Sequence, residues 1–204
     1  MDIIVLQALG VAVFLVGSAW LGRRVRRNGA ASGAEGSARA SHVLFWSCLV
    51  LPGLLGVFHP GLGRYDDITG LPSLPFHPVT VGLGALALAA GVLLMAASNH
   101  ALVSLGRGSA AFLLTREVVG GGVYRWTRNP MSLGFYLACV GVGLLAGSLT
   151  VTLGALLIVV PAHLFNLRYF EERELELRFG SSYLAYKQRV PFLLPGIPPG
   201  EGGG

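Results

Sequence analysis

The chain has 204 residues, 53% of them hydrophobic and 12% charged, with a formal net charge of +5 and a mean hydropathy of +0.65. A soluble domain carries about a quarter charged residues, so this composition excludes an ordinary soluble enzyme and predicts one membrane-embedded helix bundle. The basic excess then reads as an orientation signal and not as a nucleic-acid surface. Cys48 and Cys139 sit in apolar runs without metal or disulfide spacing and read as packing thiols.

Five apolar segments follow in chain order. Residues 2–21 come first. They start with Asp2, and Arg23, Arg24, Arg26 and Arg27 follow, the reverse of a cleaved signal peptide, which predicts a retained helix with its N-terminus outside. Residues 29–40 read as a small-residue linker. Residues 42–58 form a second, short span bent by Pro52 and Gly53, and residues 59–78 an outer loop rich in Pro and Gly. Residues 79–98 are long enough to cross, at roughly 20 residues.

Residues 132–165 must hold the last two segments, and 34 residues is short for two full spans. Gly147-Ser148 offers a turn, so a tight helical hairpin is expected, with a single long helix as the competing reading. Residues 196–204 are expected to be disordered. The domain reading is an N-terminal membrane region over 1–98, a core over 99–196 and a tail over 197–204. This topology puts fourteen of the fifteen basic residues on one side and Arg64 alone on the other. The positive-inside rule then predicts a cytosolic C-terminus in a multi-pass protein. The short outer loops suit a bacterial inner membrane.

Two polar stretches interrupt the apolar sequence, residues 122–134 (GVYRWTRNPMSLG) and 171–195 (EERELELRFGSSYLAYKQRVPFLLP). Ionisable groups kept next to a membrane are costly and point to a polar ligand. In the first stretch Pro130 suits the start of a helix, Asn129 its cap, and Arg128 with the free N–H groups a small anion. In the second, a helix running through residue 178 places Glu171, Leu175 and Arg178 on one stripe, with Glu172 about 100° away beside Tyr169. Glu174 and Arg178 are spaced as a plain helix pair. Tyr183 and Tyr186 suit either interface aromatics or pocket walls, and His163 and Asn166 a hydrogen-bonded structural role. The dinucleotide-like patterns at Gly82-Leu-Gly-Ala-Leu-Ala87 and Gly141-Val-Gly-Leu-Leu-Ala146 follow no strand and read as small-residue helix packing.

At these residues the chain resembles the isoprenylcysteine carboxyl methyltransferase and phospholipid methyltransferase group of integral-membrane enzymes. Gly122, Tyr124, Arg125, Arg128, Asn129, Pro130, Met131 and Gly134 carry the first motif. Glu171, Glu172, Leu175, Phe179, Gly180, Tyr183, Tyr186, Val190, Pro191 and Pro195 carry the second. Residues 106–112 and Val118-Val119 resemble the bacterial branch. Ser132 departs from the family's tyrosine, and Asn129, which cannot titrate, replaces its more familiar histidine.

The resemblance implies S-adenosylmethionine as cofactor, a lipid-like acceptor in contact with membrane lipids, and no metal or nucleic acid. It implies a cofactor site of Tyr124, Arg128, Asn129, Pro130, Met131, Gly134, Glu171, Glu172, Tyr183 and Tyr186, with Glu172 and Arg178 as catalytic candidates. Arg128 or the helix N-terminus suits the cofactor carboxylate, Glu171 or Glu172 its ammonium, and Tyr183 or Tyr186 its adenosine or sulfonium. Glu172 or His163 is the candidate base for an amine acceptor, and Arg178 the orienter of an acceptor carboxylate. Carboxyl methylation of an isoprenylcysteine-type substrate is the favoured version. Amine or phospholipid methylation, an NADPH-dependent membrane reductase and a non-enzymatic module are the alternatives.

Overall fold

A computed structural model describes residues 3–28, 31–106 and 114–196; they contain no strand, as expected of an all-α membrane bundle. Helical stretches Ile3–Arg27, Gly33–Phe58, Pro78–Gly106 and Leu149–Phe179 are long and apolar enough to cross a bilayer, and Pro130–Leu145 is a shorter apolar helix. Residues 107–112 of the bacterial-type stretch and the 197–204 tail lie outside the described residues.

Helix α1 (Ile3–Asn28) packs on the second stretch, which differs from the sequence reading. Where a linker is expected over 29–40, α2 (Ala31–Leu44) already runs, burying Ala34, Ser37, Ala38 and Ser41. Small side chains that suggest a linker in water let helices approach closely in a membrane bundle. A π-helical turn, Phe45–Val50, joins α2 to α3 (Leu51–Phe58). Pro52 lacks an N–H and crowds the preceding turn, so the ladder widens there.

Within the outer loop lies α4 (Tyr65–Thr69). Helix α5 (Pro78–Gly106) continues about two turns past the expected end at residue 98. Helix α6 (Pro130–Leu145) lies against it. Cβ atoms on Gly91 and Gly134 would come within 2.5 Å and 2.7 Å of each other's backbone carbonyl oxygens, and one on Gly141 within 2.8 Å of the Gly84 carbonyl oxygen. Gly84 and Gly141 of the dinucleotide-like patterns are therefore contact points between α5 and α6, whereas Gly143 meets Thr152 of the next helix and Gly82 meets nothing.

The hairpin forms as expected. Gly147 takes a positive φ of 63°, and Ser148 Oγ caps α7 (Leu149–Gly154) by accepting from Val151 N. The chain then runs without interruption through a π turn (Ala155–Val159), α8 (Val160–Asn166), a second π turn (Leu167–Glu171) and α9 (Glu172–Phe179). Gly180, with φ of 56°, redirects it into α10 (Ser181–Arg189).

At the hairpin tip, buried Asp66 of α4 clamps the turn. Its Oδ1 accepts from Thr150 N (2.7 Å) and Ser148 Oγ (3.1 Å), and its Oδ2 from Leu149 N (3.1 Å). A carboxylate on the free N–H groups at a helix start is favourable. Burial raises the Asp66 carboxyl, but these hydrogen bonds more than offset that and hold it below the usual range.

Candidate active site

Both polar stretches lie at one end of the bundle, where a C-terminal strap over residues 190–196 binds the loop leading into α6. Arg128 N donates to the Pro191 carbonyl (2.9 Å) and Gly196 N to the Trp126 carbonyl (3.0 Å). The Phe192 carbonyl accepts from Asn129 Nδ2 (2.8 Å) and Thr127 Oγ1 (3.3 Å). Asn129 thus occupies the N-cap position of α6, but its side chain holds the strap and does not cap the helix.

Beneath this lies a cavity of about 810 Å³. Its polar limb is walled by Tyr124, Arg128, Asn129, Glu171, Tyr183 and Tyr186, with Glu174 and Arg178 beside them. Its apolar limb passes between Trp46, Val50 and Leu54 on one side and Val92, Met95 and Ala96 on the other. Met131 and Ser132 line it too. The N-terminal region therefore supplies one wall, and the site is not confined to residues 99–196.

The neighbouring acids Glu171 and Glu172 have different surroundings, as the 100° step between them on the helix predicts. Glu171 faces the cavity with Leu175 and Arg178 and has no ion-pair or hydrogen-bond partner among the described residues. Glu172 turns away from it. Its Oε1 meets Arg128 Nη2 at 2.5 Å and its Oε2 meets Lys187 Nζ at 3.0 Å. Burial lowers the Lys187 ammonium, but Glu172 and Glu176 more than compensate and raise it above its ordinary value.

Arg128 has two kinds of contact. Its Nη1 donates to the carbonyls of Lys187 (2.7 Å) and Val190 (3.3 Å), whereas its Nε is buried without a partner. Arg178 is committed: Nη1 donates to Glu174 Oε1 at 2.9 Å, and Nη2 to the Thr115 carbonyl. The Glu174–Arg178 spacing read as a helix pair is such a pair, but buried, and it pins the loop that carries Thr115.

Tyr183 and Tyr186 are pocket walls. Tyr186 donates its hydroxyl to the Tyr124 carbonyl (2.7 Å). Burial raises the phenols of Tyr124, Tyr183 and Tyr186, so they stay neutral. His163 is buried among Phe14, Phe45, Phe135 and Tyr136, with Nδ1 3.0 Å from the Tyr136 hydroxyl. Asn166 accepts from Ser41 Oγ at 3.2 Å. Both carry the hydrogen-bonded roles expected while lining the cavity.

Three expected site residues stand outside the lining: Glu172, which turns away, Pro130 and Gly134. Pro130 is buried at the start of α6, and Gly134 serves the α5 contact. Sequence reasoning missed Lys187, Asn99, Glu117 and the wall from α2 and α3. The run of small residues over 33–41, spaced for one helix face, was the available signal for the last of these.

A profile of the phospholipid methyltransferase family matches residues 79–182, just over half of the chain. The methanethiol S-methyltransferase 2 of Bradyrhizobium diazoefficiens is 36% identical over 75 residues, 36% of this chain and 27% of that protein. The methanethiol S-methyltransferase of Mycobacterium tuberculosis is 36% identical over 74 residues, 36% of this chain and 28% of that protein. The protein-S-isoprenylcysteine O-methyltransferase of Schizosaccharomyces pombe is 35% identical over 82 residues, 40% of this chain and 34% of that protein. The chain thus covers about a third or less of the length of these relatives. No solved structure gives a significant match.

Proposed function

The chain belongs to the phospholipid methyltransferase family, and on that premise we propose that it is an S-adenosylmethionine-dependent methyltransferase acting on a lipid-like acceptor at the cytosolic side of a bacterial inner membrane. The observation that carries this reading is one cavity lined by two groups of opposite sign. These are the guanidinium of Arg128 and the carboxylate of Glu171, which has no partner among the described residues.

A cofactor with a carboxylate and an ammonium fits that pair. Arg128 would hold the carboxylate, Glu171 the ammonium, and Tyr124, Tyr183 and Tyr186 would wall the remainder. When bound, S-adenosylmethionine supplies a methyl group already activated by its sulfonium. The chain's residues need then only align an acceptor with it and exclude water. Glu172 enters indirectly: by fixing Arg128 and Lys187 it positions the guanidinium instead of meeting the ligand. The apolar limb between α3 and α5 suits the body of an acceptor arriving from the bilayer.

The acceptor's nucleophile follows from charge. Arg178, the residue that favoured a carboxylate such as that of isoprenylcysteine, already serves Glu174 and the Thr115 carbonyl. Glu171 and Glu117, which line the cavity without an ion-pair partner among the described residues, would repel a second anion. We therefore favour a neutral thiol or amine head. The carboxyl version is retained as a second reading because Arg178 does line the cavity.

Thermal-shift titration of the purified protein with S-adenosylmethionine and with NADPH tests the cofactor: stabilisation by NADPH alone overturns the reading. Labelled methyl transfer to thiol, amine and carboxylate acceptors bearing the same alkyl chain tests the head group. Transfer to the carboxylate alone would restore the isoprenylcysteine-type assignment.

A further inference from the structure

A second groove, of about 460 Å³, shares no lining residue with the central cavity. It runs between Leu164 and Arg168 on the last membrane helix and residues 191–194 of the strap. Five of its six lining residues are apolar, and Leu194 is 73% exposed. The sixth, Arg168, lies one helical turn beyond Leu164, about 6 Å along the axis. Its guanidinium stacks on the Phe192 ring at 4.0 Å, which leaves its N–H edge free, and it makes no hydrogen bond or ion pair among the described residues.

The level of the groove in the bundle is marked by a second such pair. Arg26, from the basic end of α1, lies over Tyr169 at 3.9 Å and donates to its carbonyl at 2.7 Å. Cations on aromatic rings at the end of apolar spans belong to the headgroup zone of a bilayer. An apolar wall with an unpaired cation one turn beyond it matches an acyl chain leading to a phosphate.

We propose that this groove binds one anionic phospholipid, its phosphate on Arg168 and an acyl chain against Leu164, Leu193 and Leu194. Charge complementarity selects the occupant, because a zwitterionic lipid brings its own cation to the same place. The strap that forms one wall also accepts the hydrogen bonds of Arg128 N, Asn129 Nδ2 and Thr127 Oγ1. A lipid seated there therefore steadies the loop that carries Arg128. The inference rests on the membrane placement and the groove, and it stands whether or not the central cavity takes S-adenosylmethionine.

The test uses the full chain purified from membranes and placed in nanodiscs of phosphatidylcholine, with or without phosphatidylglycerol. Native mass spectrometry counts retained lipid, and thermal unfolding reports stabilisation. Wild type should retain phosphatidylglycerol and unfold later in its presence. Arg168→Gln should lower retention about tenfold, the factor that a charge-assisted hydrogen bond is worth, and remove the difference between the two nanodiscs. Arg189→Gln, which deletes an exposed charge elsewhere, should retain the lipid. Leu194→Ser, at an exposed position, should weaken retention without disturbing the fold. Equal retention of phosphatidylcholine, equal loss in Arg189→Gln, or undiminished retention in both Arg168→Gln and Leu194→Ser would overturn the proposal.

Discussion

Arg128 and Glu172, 44 residues apart in the chain, meet at 2.5 Å and join the start of α6 to the end of the last membrane helix. The side chains are 8% and 11% exposed, so this contact is made largely out of water. It fixes Arg128 while its Nε stays unpartnered beside the cavity.

Substituting the adjacent acids should separate positioning from ligand contact. Glu172→Gln should destabilise the protein by about 3 kcal/mol, the low end for breaking a buried pair, because Lys187 keeps Glu176 and Arg128 keeps two carbonyls. Glu171→Gln breaks no ion pair and should leave the unfolding midpoint nearly unchanged while weakening S-adenosylmethionine about tenfold in a calorimetric titration. Equal loss of cofactor affinity with no change of stability in Glu172→Gln would reverse the two roles.

The Asp66 clamp predicts a pH dependence. Its folded carboxyl is held below the ordinary aspartate value, so its contribution is complete above about pH 3.9 and fades as pH falls through the depressed folded value. Asp66→Asn should cost about 2 kcal/mol at neutral pH, since one charged acceptor of three hydrogen bonds is lost. Unfolding curves of wild type and variant, followed from pH 6 downward, should converge at the acid end. A constant gap across that range would exclude the clamp.

Close approach of α5 and α6 is sensitive to a single methyl group. A Cβ on Gly134 would lie 2.7 Å from the Gly91 carbonyl oxygen and 3.0 Å from Met95 N, backbone atoms that cannot swing aside. Gly134→Ala should therefore cost about 2 kcal/mol as overpacking. Gly154→Ala, where a Cβ meets nothing within 4 Å, should be neutral or slightly stabilising. Chemical denaturation in detergent compares the two.

The two ion pairs of α9 should differ sharply. Glu174→Gln leaves Arg178 buried beside a neutral partner and should destabilise by about 3 kcal/mol while freeing the segment around Thr115. Arg173→Gln removes a pair whose arginine is 45% exposed and should cost under about 1 kcal/mol. Limited proteolysis after Arg116, faster in Glu174→Gln alone, reads the difference directly.

The hairpin was legible because Gly147 and Ser148 suit a positive-φ turn and a helix cap whatever surrounds them. So was the split between Glu171 and Glu172, since the angle between adjacent helical residues is fixed by backbone geometry. Residues 31–40 of the expected linker became helix because their small side chains find α1 and α9 to pack against, and neither partner can be seen in local sequence. Asp66 lay unnoticed in a loop rich in Pro and Gly because its donors come from Ser148, Leu149 and Thr150, more than eighty residues away.

Composition, periodicity and motif residues by themselves determined a helical membrane bundle and the two stretches that meet at its basic end, because hydrophobic spans and helical spacing are local properties. Which charges are left unsatisfied was decided by the tertiary structure alone. Arg128, Glu171, Glu172 and Arg178 look equivalent as ionisable residues. Only folding brings Lys187, Glu174 and the Thr115 carbonyl to some of them and leaves Glu171 in the cavity with no partner among the described residues.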